Sequence, residues 1–114
     1  MISLETIRAM IRKLPGANEE KSYGTPGFKV KKKLFARLHQ KEDAVVVLLN
    51  SVDEQRELIS KDPAIYYITD HYKGYPAVLV RRIADEAELF ALLVHAWRRV
   101  ARRGDIAEYD SRQS

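Results

Sequence analysis

His39, His71 and His95 are the side chains of this chain best suited to acid–base or metal chemistry near neutral pH. Their sequence surroundings offer little for either. None belongs to a His-Glu-x-x-His helix, and their spacing is not that of metal ligands. Asp70 and His71 are neighbours, but adjacent side chains on an extended segment diverge, which makes them a poor orienting pair. Ser22 lacks a nucleophile-elbow context, and Gly24-Thr25-Pro26-Gly27 has the wrong context for a phosphate cradle. The chain has no cysteine, so disulfides, thiolate metal sites and a cysteine nucleophile are all excluded. The residues therefore predict no enzyme: no catalytic residue, no metal ligand and no cofactor.

What remains is charge combined with aromatic rings. Twenty Lys and Arg against sixteen Asp and Glu give a formal charge of +4, a mild excess that matters through its distribution. Lys29, Lys31, Lys32, Lys33, Arg37 and Lys41 follow one another with no acid among them. Long cations on a projecting element suit phosphates, since each one neutralised releases counterions. Lysines on an edge strand also serve simply to block edge-to-edge pairing. A second stretch runs from Asp62 to Val80 and carries His71, Tyr72, Lys73 and Tyr75 between two apolar segments. Rings there could stack on bases while Lys73 reaches a phosphate. The bland alternative is a loop whose tyrosines fold back to cap the core. Arg98, Arg99, Arg102 and Arg103 form a third cluster, read here as solvated cations complementing a helix dipole.

The elements that must position these groups follow from periodicity and punctuation. Ser3 caps a first helix with Leu4, Ile7, Met10, Ile11 and Leu14 on one face, ended by Pro15-Gly16. Residues 15–27 read as a loop, with Tyr23 tucked onto the core. Phe28 to Leu38 reads as a hairpin turning near Lys31-Lys32-Lys33, with Phe35 alternating onto its basic face, either as a second-layer core residue under a helix or as an exposed platform. Ala44 to Leu49 is apolar throughout and predicts a central strand covered on both sides. Ser51 to Glu54 is a capping box opening a second helix to about Ser60. Tyr66–Ile68 and Val78–Val80 form the arms of a second hairpin, its tip shaped by Gly74 and Pro76. Asp85 starts a last helix with Leu89, Leu92, Leu93, Ala96, Trp97 and Val100 inward, ended by Gly104. The order is α-β-β-β-α-β-β-α, an α+β fold with helices packed on an antiparallel sheet.

One domain over residues 1–104 is expected, with 105–114 as a polar C-terminal tail. The 114 residues suffice for a single core, and 46% hydrophobic with 32% charged residues is an ordinary soluble composition. No signal-like start and no apolar run of spanning length is present, so a cytoplasmic location without membrane contact is expected.

Leu14-Pro15-Gly16, Ser22-Tyr23-Gly24-Thr25-Pro26, Phe28-Lys29-Val30 and Lys33-Leu34-Phe35-Ala36 together resemble the N-terminal half of the MmcQ/YjbR-like family. Asp62-Pro63, His71-Tyr72-Lys73-Gly74-Tyr75-Pro76, Val78-Leu79-Val80-Arg81 and Ala96-Trp97-Arg98 resemble its second half. Asp70 stands where the family often has proline, and Ala77 where it often has a large aromatic. The resemblance implies a compact α+β domain with two projecting hairpins, a double wing, and a role in binding DNA. Lys29, Lys31, Lys32, Lys33 and Arg37 would contact phosphates, and His71, Tyr72, Lys73 and Tyr75 would enter or rim a groove. About four neutralised phosphates would give a salt slope near −3.6. The alternative is a non-enzymatic protein-interaction module, since the element order also resembles secretion-chaperone folds. That reading expects a protein partner and an exposed apolar patch or dimer interface, with Phe35 a candidate for it; a monomer or a weak homodimer is expected.

Overall fold

The computed structural model describes residues 1–22, 24–39 and 41–113. Its elements run α1 (Leu4–Arg12), β1 (Ala17–Ser22), β2 (Thr25–Val30), β3 (Lys33–Leu38), β4 (Ala44–Leu48), α2 (Val52–Lys61), β5 (Tyr66–Tyr67), β6 (Ala77–Arg81), α3 (Glu86–Val100) and α4 (Arg103–Gln113). The strands form one antiparallel sheet in the order β1-β2-β3-β4-β6-β5. This is the α+β architecture that the sequence predicts.

Local chemistry sets the helix starts. Ser3 accepts a hydrogen bond from the Thr6 N–H at 3.1 Å. Ser51 accepts from the Glu54 N–H at 3.2 Å, while Glu54 reaches back to the Asn50 N–H at 2.7 Å. Asp85 accepts from the Glu88 N–H at 3.1 Å. Each bond satisfies a donor that the helix itself leaves without a partner.

The sheet is covered unequally on its two faces. On one, Ile7 and Met10 of α1 and Leu89, Leu93 and Trp97 of α3 bury Phe28, Val30, Phe35, Val45 and Val47. On the other, Ala44, Val46, Ala77 and Leu79 lie beneath Tyr72, in the loop that joins β5 to β6. β4 therefore has both faces buried, Val45 and Val47 toward the helices and Ala44 and Val46 toward the loop. That is the environment its unbroken apolar run predicts.

Three expectations need correction. Residues 17–22 are an edge strand, paired with β2 from Ala17↔Val30 to Ser22↔Thr25, where a loop is predicted. Backbone pairing and ion pairs, not apolar burial, make this strand: Asn18, Glu19, Glu20 and Lys21 are all exposed and show no apolar alternation, while Glu19 is held by Arg8 at 2.8 Å. Phe35 is fully buried on the helix side instead of alternating onto the basic face. The register moves from Phe28↔Ala36 to Lys29↔Leu34, so Phe35 is the extra residue of a bulge and faces inward with Ala36. Residues 103–113 are a helix where a polar tail is predicted, and α3 ends at Ala101, ahead of Gly104. The Asp105 carboxylate accepts from the Arg102 N–H at 3.2 Å and from Arg102 Nε at 2.8 Å, which fixes the break and starts α4. Tyr109 then lies against Trp97 with ring centroids 5.3 Å apart. The expectation for Tyr23 falls outside the described residues. No helix among the described residues is long and apolar enough to cross a membrane.

Candidate nucleic-acid interface

Strand polarity decides which loops are neighbours. β2 runs toward its turn with β3 and β4 runs the same way, ending at Leu48 opposite Ala77, the first residue of β6. β5 is antiparallel to β6, so it too runs toward this end. The Lys31–Lys32 turn and the segment entering β6 therefore lie at one end of the sheet. Both hairpins occur, the first ending in the exposed Lys31–Lys32 turn and the second in the loop that enters β6.

Lys31, Lys32 and Lys33 are all exposed, and none is within ion-pair distance of a carboxylate among the described residues. The turn has only two residues between the paired Val30 and Lys33, with Lys31 at φ 56°. Positive φ at the first turn position usually selects glycine, so a lysine there is a local cost of about 1 kcal/mol. Lys29 is a different case. It is half-buried and pairs with Glu20 at 3.2 Å across the β1–β2 ladder.

The β5–β6 loop folds back over the sheet. Tyr72, placed by sequence at a groove rim, is only 5% exposed and belongs to the second core. Its hydroxyl accepts from Arg37 Nη2 at 2.5 Å, so both side chains are engaged inside the protein. That corrects the expectation that Arg37 and Tyr72 face a ligand. The apolar face above Ala44, Val46 and Leu79 must be covered, and the loop supplies the ring from a single 3-10 turn, Asp70–Tyr72, instead of the extended segment the sequence suggests. His71 is exposed and stands edge-on to Tyr72, with ring centroids 4.9 Å apart. Lys73 is exposed, and Tyr75 is 52% exposed where Tyr72 is 5%. The sequence-predicted set thus divides. Lys31, Lys32 and Lys33 meet solvent in the turn, and His71, Lys73 and Tyr75 meet it in the loop that enters β6. Lys29, Arg37 and Tyr72 serve the sheet.

A residue not singled out from sequence fixes this loop. Gln55, 3% exposed on α2, donates from Nε2 to the carbonyls of Ala77 at 2.7 Å, Tyr75 at 2.8 Å and Tyr72 at 3.3 Å. No local pattern marks it, because its partners lie about twenty residues downstream.

His39 and His95 also act within the fold. His39 Nδ1 accepts the N–H groups of Glu42 at 2.9 Å and Lys41 at 3.1 Å. Burial, with Arg37 nearby, holds its pKa below the ordinary histidine value. His95 Nε2 lies 2.8 Å from Glu54 Oε2 and 3.3 Å from Asn50 Nδ2, joining α3 to the start of α2. Burial pushes the Glu54 carboxyl up, but hydrogen bonds from the Asn50 N–H and His95 outweigh it, and the pKa is lowered overall. The adjoining groove of about 320 Å³ is lined by Leu49, Leu58, Lys61 and Leu92 with Glu54, Glu57 and His95, none of which carries a hydroxyl or thiol nucleophile. Among the described residues no three His, Asp or Glu side chains come together as a metal site.

Fold and site define a small α+β protein whose antiparallel sheet is closed by helices on one face and by a clamped loop on the other, with a basic turn at one end. The YjbR family model matches residues 12–99, and the chain belongs to that family. Uncharacterized protein Rv2570 of Mycobacterium tuberculosis and Uncharacterized protein Mb2600 of Mycobacterium bovis are each 39% identical over 56 residues, covering 48% of this chain and 43% of theirs. The chain thus matches less than half the length of these relatives. The crystal structure of Deinococcus radiodurans protein DR2400, with the family-model domain DUF419, is similar at a TM-score of 0.74 and 17% identity, covering 96% of this chain and 89% of that one. At that identity the likeness shows the fold.

Proposed function

We propose that this protein binds DNA non-enzymatically, gripping phosphates with Lys31, Lys32, Lys33 and Lys73 while Tyr75 offers a ring beside them. The observation that carries this reading is the lysine turn. Three adjacent exposed cations without an ion-pair partner, one of them at φ 56°, lie at the sheet end where Lys73 and Tyr75 also lead into β6. Their mutual repulsion is relieved when a polyanion supplies the counter-charge. The geometry favours backbone contacts over base reading, because Tyr72 and Arg37 are occupied with each other.

The protein-interaction alternative rests on the resemblance of the element order to secretion-chaperone folds, and the one ring named for its apolar face, Phe35, is fully buried.

Fluorescence anisotropy with a mixed-sequence duplex tests the proposal. The four lysines should contribute a slope of log K against log salt of about −3.6, and Lys31→Ala, Lys32→Ala and Lys33→Ala together should remove about 2.7 of it. Absence of binding at about 20 mM salt, or a slope unmoved by the triple variant, rejects the reading.

A further inference from the structure

We infer that Arg99 and Arg103 form the second half of the same phosphate-binding surface. The inference rests on the nucleic-acid reading and adds to it residues that the helix dipole appeared, from sequence alone, to explain. The dipole argument holds for Arg98 and Arg99, which lie in the last turn of α3. It fails for Arg102 and Arg103. The chain breaks at Ala101, and these two stand at the start of α4, where the dipole is positive and cations are unfavourable. Asp105 offsets Arg102, while Arg103 is exposed with no ion pair to a carboxylate among the described residues. A cation placed against a helix dipole without a partner is a local rule broken with no gain in stability, which is where function is expected.

Position makes the second argument. α3 runs toward the lysine end of the sheet: the Trp97 indole N–H donates to the Pro15 carbonyl at 3.0 Å, two residues before Ala17, the partner of Val30. Arg99 Nε donates to Asn50 Oδ1 at 3.1 Å, just beyond the end of β4. Lys31 lies close enough to Asp105 to help hold its carboxyl below the ordinary range, behind the larger effect of the Arg102 hydrogen bonds. Two clusters about seventy residues apart in sequence thus meet at one end of the molecule. Three acids also lie there. Asp105 is engaged by Arg102, Glu54 by His95 and the Asn50 N–H, and Asp53 stands 4.0 Å from Arg56. Arg98 is different: it turns along α3 onto Asp110 of α4 at 2.7 Å.

The same anisotropy titration decides the matter, with thermal melts confirming that each variant is folded. Arg99 and Arg103 should add about −1.8 to the four-lysine slope, for a total near −5.4, and Arg99→Gln with Arg103→Gln should return it to about −3.6. Arg98→Gln should leave the slope unchanged, although it comes from the same stretch of sequence. Arg103→Glu should fold at least as well as the parent, because a carboxylate suits the start of α4, and should bind more weakly than Arg103→Gln. If the parent and the lysine variant behave as proposed but the arginine variants keep the full slope, or if Arg98→Gln lowers it as much as the pair does, this inference is overturned and the lysine surface stands alone. If the parent fails to bind, both readings fall.

Discussion

Gln55 holds more of the fold than its place on a mostly exposed helix suggests. One side-chain amide serves three carbonyls of the loop that covers the second sheet face. Gln55→Leu keeps the volume but removes the donor, leaving the Ala77 carbonyl buried without its amide partner. The expected loss is about 2–3 kcal/mol, seen as a lower urea midpoint with an unchanged slope. A midpoint within error of the parent would show that the loop holds itself. At this scale the sequence was legible wherever the partner is local. Ser3, Ser51 and Asp85 announce helix starts because their hydrogen bonds close within a few residues. Gln55 and the Arg37–Tyr72 bond gave no such notice, since each spans a distance that only the folded sheet closes.

Among the elements, α1, α2, α3, β4 and β6 were readable from apolar periodicity, and the two misread ones share a cause. β1 has no apolar alternation and exists because β2 offers it a ladder. In α4, Ile106 and Tyr109 are the main apolar anchors over eleven residues, too few to make a periodic signal. Its stability is therefore concentrated in Tyr109, buried against Trp97. Tyr109→Ala should cost about 3 kcal/mol and release α4, measured as a lower melting temperature with increased tryptophan exposure to a quencher. If the melt is unmoved, α4 is held by its ion pairs instead. The bulge at Phe35 was equally hidden, because strict alternation assumes a ladder with no extra residue.

Over the whole molecule, the charge arrangement has consequences for pH. Glu19, Glu54, Asp105 and Asp110 are each held below the ordinary carboxylate range: Glu19, Asp105 and Asp110 chiefly by hydrogen bonds from arginine, Glu54 by those of Asn50 and His95 acting against burial. A lowered folded pKa means that the unfolded chain binds protons first, so stability is present above the unfolded value and is lost as pH falls through the folded one. His39 follows the same sign from a higher starting point, because burial, with Arg37 nearby, favours its neutral ring, the form that accepts two backbone N–H groups. The urea midpoint should decline gently below about pH 6.5 and steeply below about pH 4.5, and His39→Ala should flatten the upper part only. A midpoint constant down to about pH 3 would mean that these pairs add nothing to the fold. The fold class was legible in the sequence at this scale, but the meeting of the lysine and arginine clusters was not, since it depends on which way each strand and helix runs.

The two sides of the sheet are shut by different means. One is sealed by helices whose removal would dismantle the main core. The other is closed by a short irregular segment, pinned chiefly by one glutamine and one tyrosine hydroxyl. Freeing that segment would wet Ala44, Val46, Ala77 and Leu79 while leaving Trp97 and its neighbours dry. The loop side rests on fewer contacts than the helix side, so water entering there first would reach an aliphatic strip before any helix had moved.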